Sequence, residues 1–445
     1  MTDAAKTFIE TYEQARKTLP AVGLGWLDAR RDAALKDFGE SGLPHRRLED
    51  WRYTDLRQAL EKASLAPAPA HQGAALLPDA TRAAVSAFAN IDRHVVTFVN
   101  GRLRTDLSKL ALPEGVALTP LATALAEPWA RTLIEAKASH TQAANIVALN
   151  TALMQDGMGL HIVKGIKLDK PLHLLFLAAD DGASHARNLI RLEAGAEATI
   201  FETHIDAGGK SYFSDLVADI SLADDARLTN IKVQDEAPTA IHLSTLSATL
   251  EARSYLSSFI MTLGAGLSRG QSFIRFNGEG AEAHVNGATA LRGKQHGDQF
   301  CVVDHAVPGC NSAALFRTVL DDATTGVFQG RVIVRPDAQK TDGRQMTNAI
   351  LLSRDAAMNA KPELEIYADD VQCAHGSTIG ELDREALFYL RSRGIDEETA
   401  RQLLISAFLD AAFETVPHEA AQDALRALAA SWFRLDSRNA AKGAT

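Results

Sequence analysis

Cysteine is scarce: the 445-residue chain has three, Cys301, Cys310 and Cys373, an odd number widely spaced. That excludes a disulfide framework and points to a reducing, cytoplasmic compartment. Aromatic residues make up only 6% and are sparse in the strand-rich region, which weighs against a sugar-binding platform along strands. No apolar run approaches the roughly 18 residues that a membrane helix needs. The formal net charge of −10 argues against a nucleic-acid partner, since phosphate binding needs a basic face. The acidic N-terminal stretch reads as neither a secretory signal nor a transit peptide. There is no G-x-x-x-x-G-K-[ST] loop and no H-E-x-x-H pair. Hydrolysis of nucleotide by a P-loop mechanism is therefore not expected, and the lack of these two signatures favours a scaffold.

What is present is enough apolar residue, 46%, for a large interior divided into two or three domains. Residues 1–150 read as mostly helical. Phe8, Ile9, Tyr12 and Ala15 recur at helical spacing before Pro20. Trp26 and Leu27 open a second helix through Ala33, Ala34 and Phe38, ending at Gly39. The charged and aromatic segment His45–Tyr53 reads as an amphipathic helix end with its rings inward, or alternatively as a cation–π surface. A Pro/Ala-rich linker lies near 64–70, a hairpin turns at Asn100-Gly101, and Leu121–Asn150 is alanine-rich and helical.

From about Gly159 the texture changes to short alternating runs, which mark half-buried strands. Ile190 and Leu192 alternate with Arg191 and Glu193, Ile231 and Val233 with Lys232 and Gln234, Ile274 and Phe276 with Arg275 and Asn277. Turn-like signatures recur at Gly195–Ala198, Asp224–Ala226, Glu251–Ala252, Gly280–Ala283 and Asp321–Ala323, at uneven intervals. The pattern suits the coils of a β-solenoid with late insertions, with a β-sandwich as the competing architecture. Long helices between the strands are lacking, which disfavours a βαβ sheet. Eight glycines between Gly264 and Gly297 read as tight turns. In 381–445, Asp383 caps a helix ending before Gly394. Asp396 caps another with Ala400, Leu403, Leu404, Ala407, Phe408 and Ala411 as its apolar stripe. A last helix follows Pro417.

Chemistry concentrates in Lys361–Gly394. Cys373 and His375 stand two apart on a strand and so share a face. A thiolate beside an imidazole suits zinc or iron, but two ligands do not close a site. A half-buried thiol and a hydrogen-bonded imidazole at a strand end is the plain alternative. His305, Cys310 and Cys301 read as packed residues.

The string from Asp337 to Ile395, with His305–Ser312, Phe328–Arg331 and Glu49–Thr54, resembles the SufD family of iron–sulfur cluster assembly scaffold subunits. The Cys-x-His-Gly form at Cys373–Gly376 is that family's version. The sister subunit SufB has a cysteine where this chain has Leu390. The resemblance implies a mainly β fold: a right-handed parallel β-helix core over 151–380, flanked by helical domains at 1–150 and 381–445. It implies a non-enzymatic scaffold that handles a transient Fe–S cluster at its interface with a SufB-like subunit, with none permanently bound by this chain alone. His375 would be this chain's ligand, with Cys373 accessory or second. A SufC-like ABC ATPase would dock on the C-terminal helices, and the chain could homodimerise in isolation. Two other classes remain open from the residues: a solenoid enzyme acting on polysaccharide, and a stand-alone Cys/His metal enzyme.

Overall fold

The computed structural model describes residues 2–61, 63–71, 87–136, 144–206 and 210–443, with side chains to Phe433. Strands β4 (Asp156–Ile162) to β19 (Gln372–Gly380) alternate between two sheets, even-numbered strands in one and odd-numbered in the other. Every pairing among them is parallel and in continuous register, as from Ile241↔Leu267 to Leu250↔Phe276. Each coil contributes one strand to each sheet, and the two sheets enclose a lumen. This is a β-solenoid, right-handed as parallel crossovers are.

Why the chain turns where it does is visible in its backbone. At one corner of successive coils a residue takes positive φ: Gly165, Gly195, Asp225, Arg253, Gly280, Gly309 and Lys340. These residues stack on one corner. Gly195 N–H donates to Asp224 C=O, Asp225 N–H to Ala252 C=O, and Lys340 N–H to Asp370 C=O. Their spacing is almost even, so no late insertion exists. The uneven intervals of the sequence motif arise because Asp321–Ala323 lies on another corner, where Gly293 N–H donates to Asp322 Oδ2 at 2.8 Å. Gly309 marks the corner that the motif missed. Nor are all eight glycines turns. Gly270, Gly287 and Gly297 lie within strands, where a Cβ would come within 2.6–2.8 Å of Gln299, Phe316 and Leu291 respectively.

The first end of the solenoid is closed. The expected hairpin forms between β1 (His94–Val99) and β2 (Arg102–Lys109), with Asn100 and Gly101 both at positive φ. Strand β1 pairs in parallel with β5 (Leu172–Ala178) and β3 (Val116–Pro120) antiparallel with β4. Residues 94–120 thus belong to the β array and not to the helical part.

Helices cover the outer faces. Helices α1 (Asp3–Ala15), α2 (Gly25–Ser41), α3 (Leu56–Leu60), α4 (Leu121–Ala124), α5 (Pro128–Glu135) and α6 (Ala144–Leu153) lie against the even sheet. Helix α2 runs through Gly39, and Gly42, at φ +68°, ends it instead. His45–Tyr53 forms only a short 3-10 turn, Glu49–Trp51, whose Trp51 is fully buried over the Arg269 guanidinium at 3.9 Å. Helices α7 (Arg384–Ser392), α8 (Glu397–Phe413) and α9 (Glu419–Gly443) follow the last strand. Asp383 and Asp396 cap α7 and α8 as expected. Helix α8 buries Ala400, Ile405, Leu409, Ala412 and Phe413. The stripe is therefore rotated from the expected one, and Leu403 is 49% exposed.

That covering has a consequence for the alternation in β9 (Arg227–Asp235). Ile231 and Val233 face outward and are buried under the C-terminal helices. The polar partners of the pattern, Lys232 and Gln234, point into the lumen and are equally buried. A period of two fixes which residues share a face, not which face meets water.

Candidate functional site

Cys373 and His375 lie on β19, the final strand of the odd sheet. Its one neighbour is β17 (Asp342–Leu351), with Cys373 opposite Gly343 and His375 opposite Gln345. The even sheet ends likewise at β18 (Ala357–Ile366) beside β16 (Thr325–Val334). Among the described residues, both last strands therefore carry an unpaired edge.

Gly343 and Gln345 face the lumen. A Cβ on Gly343 would lie 3.4 Å from Cys373 Sγ, and Gln345 Nε2 donates across the lumen to Glu363 C=O at 2.8 Å. Cys373 and His375 follow in the same columns, so they share a face as the spacing predicted. Among the described residues no further coil lies above them, so the lumen is open beside this face. Cys373 is half-buried against Val332, Val334, Leu364 and Ala368, and His375 is exposed. Burial pushes the Cys373 thiol up, while the Gly343 backbone N–H opposes that. Contact with a cation or metal would lower it. Among the described residues, no third His, Cys, Asp or Glu joins these two in a ligand group. Exposed apolar residues occur at this end, Ile366 42%, Tyr367 59% and Ile379 47%, with Met346 42% exposed on β17, among exposed polar residues such as Asp369, Asp370 and Gln372.

The last coil is braced from the N-terminal part. Arg331 on β16 pairs with Asp50 at 3.3 Å and with Glu363 at 3.1 Å. Lys361 pairs with Glu49 and, at 3.1 Å, with Glu363. The Lys361 ammonium holds the Glu49 carboxyl below its ordinary range. Beyond β19, α7 presents Phe388 and Tyr389, 75% and 57% exposed.

The other two cysteines lie in the interior, away from β19. Cys301 is buried in the lumen, its thiol pushed up to about 12 by desolvation. Cys310 is buried and directs its thiol to Gly278 C=O at 3.4 Å. His305 Nε2 is 2.8 Å from Ser312 Oγ. All three are satisfied packing residues. A different group escaped the sequence reading: His204, Glu236 and His242 converge deep in the lumen. Their signal was there, two imidazoles and two acids in consecutive coils around Lys232, but it was hidden by the expectation that polar positions face water.

The comparisons with known proteins agree with this architecture. Residues 175–408 match the family described as SUF system FeS cluster assembly, SufBD core domain, and residues 2–174 match the SufBD protein N-terminal region. The chain is 31% identical to the Iron-sulfur cluster assembly SufBD family protein slr0076 of Synechocystis, over 89% of each chain. It is 30% identical to the Iron-sulfur cluster assembly protein SufD of Escherichia coli, over 84% of this chain and 85% of that one. Protein ABCI7, chloroplastic, of Arabidopsis thaliana is 25% identical over 94% and 88%. Solenoid, flanking helices and sequence together define a component of the iron–sulfur cluster assembly class. Within that class the chain belongs to the SufBD family. No helix among the described residues is long and apolar enough to cross a membrane.

Proposed function

We propose that this chain is a non-catalytic scaffold subunit of a SUF-type assembly complex, completing its cluster site only against a second chain. The observation that carries this is the open solenoid end. Two unpaired strand edges and the exposed Ile366, Tyr367 and Ile379 accompany a thiol and an imidazole at that end. Unpaired edges recruit strands from another chain, and exposed apolar residues beside them add to an interaction surface.

A SufB-like sister subunit is the proposed occupant. The nascent Fe–S cluster is the cargo of that interface. A cluster takes about four protein ligands; His375 supplies one, Cys373 a second or an accessory thiol, and the sister the rest. Without the sister, two copies of this chain can pair through the same edges in a two-fold arrangement. A SufC-like ABC ATPase docks on α7 to α9, where Phe388, Tyr389 and Leu403 are the exposed apolar residues. ATP hydrolysis belongs to that partner. Movement of the two subunits then opens and closes a site that neither holds alone.

The test is cluster assembly by the intact complex carrying His375→Ala, compared with complexes carrying Cys301→Ala or Cys310→Ala. The expected result is a large loss for His375→Ala, a smaller one for Cys373→Ala, and near wild-type assembly for the other two. An intact His375→Ala complex that assembles clusters at the wild-type rate refutes the proposal. So does stoichiometric cluster binding by this chain alone.

A further inference from the structure

Inside the solenoid, far from the open end in sequence, the lumen holds a closed set of charged groups. His204 lies on β7 (Glu197–Asp206), Glu236 just past β9, and His242 at the start of β10 (Ile241–Leu250). Their exposures are 2%, 6% and 1%. One ligand atom from each lies within 4.8 Å of the others. Glu202 and Lys232 complete the set. His204 Nε2 is 2.6 Å from Glu202 Oε1, and Lys232 Nζ is 3.1 Å from that oxygen. Tyr212 donates its hydroxyl to Glu236 Oε1 at 2.9 Å, and Gln234 Nε2 donates to Glu236 Oε2 at 2.9 Å.

Two details distinguish this set from an ordinary buried ion pair. Lys232 Nζ approaches His242 Nε2 to 3.0 Å. An ammonium can only donate, so that imidazole must turn a lone pair toward the centre. The other nitrogen, His242 Nδ1, is 2.8 Å from Glu236 Oε2. Two carboxylates and one ammonium are also packed around the two imidazoles in the interior, where an unbalanced charge is costly.

We propose that His204, Glu236 and His242 form a binding site for one divalent first-row transition-metal ion, with Lys232 standing in for the cation when the metal is absent. Two imidazoles and one carboxylate are the donor set that borderline ions such as Zn²⁺, Co²⁺ and Fe²⁺ accept. Metal–nitrogen bonds of about 2.0–2.1 Å need only a modest inward closure of atoms already this near. Glu202, bonded to His204, orients that ring as an outer carboxylate does in metal sites. A cavity of about 50 Å³ borders Glu202, Asn230, Lys232 and Ser244. It gives the lysine side chain somewhere to withdraw.

The site is independent of Cys373 and His375, and its test separates the two. Full-length, tag-free protein stripped with chelator is titrated with Co²⁺ and then Zn²⁺, read by calorimetry and by the visible absorption of bound Co²⁺. We expect one ion per chain. The His204→Gln/His242→Gln variant should bind at least about 100-fold more weakly, the upper end of what loss of even an outer partner costs. Lys232→Met removes the competing cation and no ligand, so it should bind more tightly, and its melting temperature should rise further on adding metal. Cys373→Ser/His375→Ala should bind as wild type. Folding of each variant is checked by circular dichroism. If the double glutamine variant does not fold, Lys232→Met decides the question. Absence of binding by folded wild-type protein overturns the site. So does undiminished binding by the folded glutamine variant, no gain in Lys232→Met, or loss of binding in Cys373→Ser/His375→Ala.

Discussion

Replacing Asp298 by alanine removes the counter-ion of a guanidinium that has no access to water. Arg269 and Asp298 are both fully buried between the even sheet and the N-terminal segment, joined directly through Nη1 and Oδ2. Arg269 Nη2 also donates to Asp50 C=O at 2.7 Å, and Trp51 stacks on its face. Thr54 donates its hydroxyl to Asp298 at 2.5 Å. Burial pulls the Arg269 guanidinium down and Asp298 pulls it back. Breaking one side of such a pair costs about 3–5 kcal/mol, because a charge is left buried and unpaired. The loss is a large fraction of a typical stability of about 5–15 kcal/mol. Urea unfolding followed by tryptophan fluorescence measures it, since Trp51 sits on the perturbed group. Trypsin should cut at Arg46, Arg47 or Arg52 faster in Asp298→Ala than in wild type. The Arg269→Met/Asp298→Leu double variant removes both charges and should recover most of the loss. A loss below about 1 kcal/mol for Asp298→Ala would refute the reasoning that burial makes this pair costly to break. Because Glu49 and Asp50 also hold Lys361 and Arg331, a loosened segment should also weaken the last coil and its Cys373–His375 strand.

Acid should destabilise the chain before its carboxylates protonate. Burial pushes His173 down to about 3 and His305 to about 4, and Arg93 Nε donates to His173 Nδ1 at 2.9 Å, which keeps that ring neutral. The unfolded chain takes up these protons near pH 6.5 and the folded chain does not, so stability present at neutral pH falls as pH drops from 6.5 toward 4. Each ring should cost about 2 kcal/mol by pH 5, at about 1.4 kcal/mol per pH unit. Urea midpoints at pH 7 and pH 5 measure this, and equal midpoints would contradict it. On α7, Phe388→Asp/Tyr389→Asp should change stability by less than about 0.5 kcal/mol per residue, as exposed substitutions do, and yet abolish co-purification of the ATPase. Retention at full strength would place the ATPase elsewhere.

Much of this architecture was legible because it rests on local chemistry. Asn100-Gly101 specifies a hairpin by its backbone alone, and Asp383 and Asp396 specify helix starts by their side chains. The two-residue spacing of Cys373 and His375 places them on one face wherever the strand lies. What could not be read depends on what covers each face. Ile231 and Lys232 alternate in the sequence whether the helices pack on one side or the other, and only the packing of α8 and α9 turns Lys232 inward. Trp51 was readable as a buried ring but not as the partner of Arg269, more than two hundred residues away in the chain. Leu403 was assigned to the core from periodicity, but α8 meets the sheet on a face rotated from that stripe.

The two ends of the solenoid differ in a way that bears on function. Stacked coils leave an apolar cross-section and bare strand edges at both termini, and such arrays need caps to remain soluble. At the first end the cap is built in: β2 and β3 run antiparallel to their neighbours and terminate both sheets. At the last end the chain has the material for a cap, three helices directly after β19. It places them elsewhere, with α8 and α9 against the outer face of the odd sheet around Phe259, Ala288 and Val319. Among the described residues no strand pairs with the outer edge of β18 or β19, and Ile366, Tyr367 and Ile379 stay exposed. An edge that could be covered from within its own chain and is not is best explained by a partner that covers it. On the proposed function, the placement of Cys373 and His375 at that end, and not in the lumen with Cys301, puts them where a partner's ligands would reach.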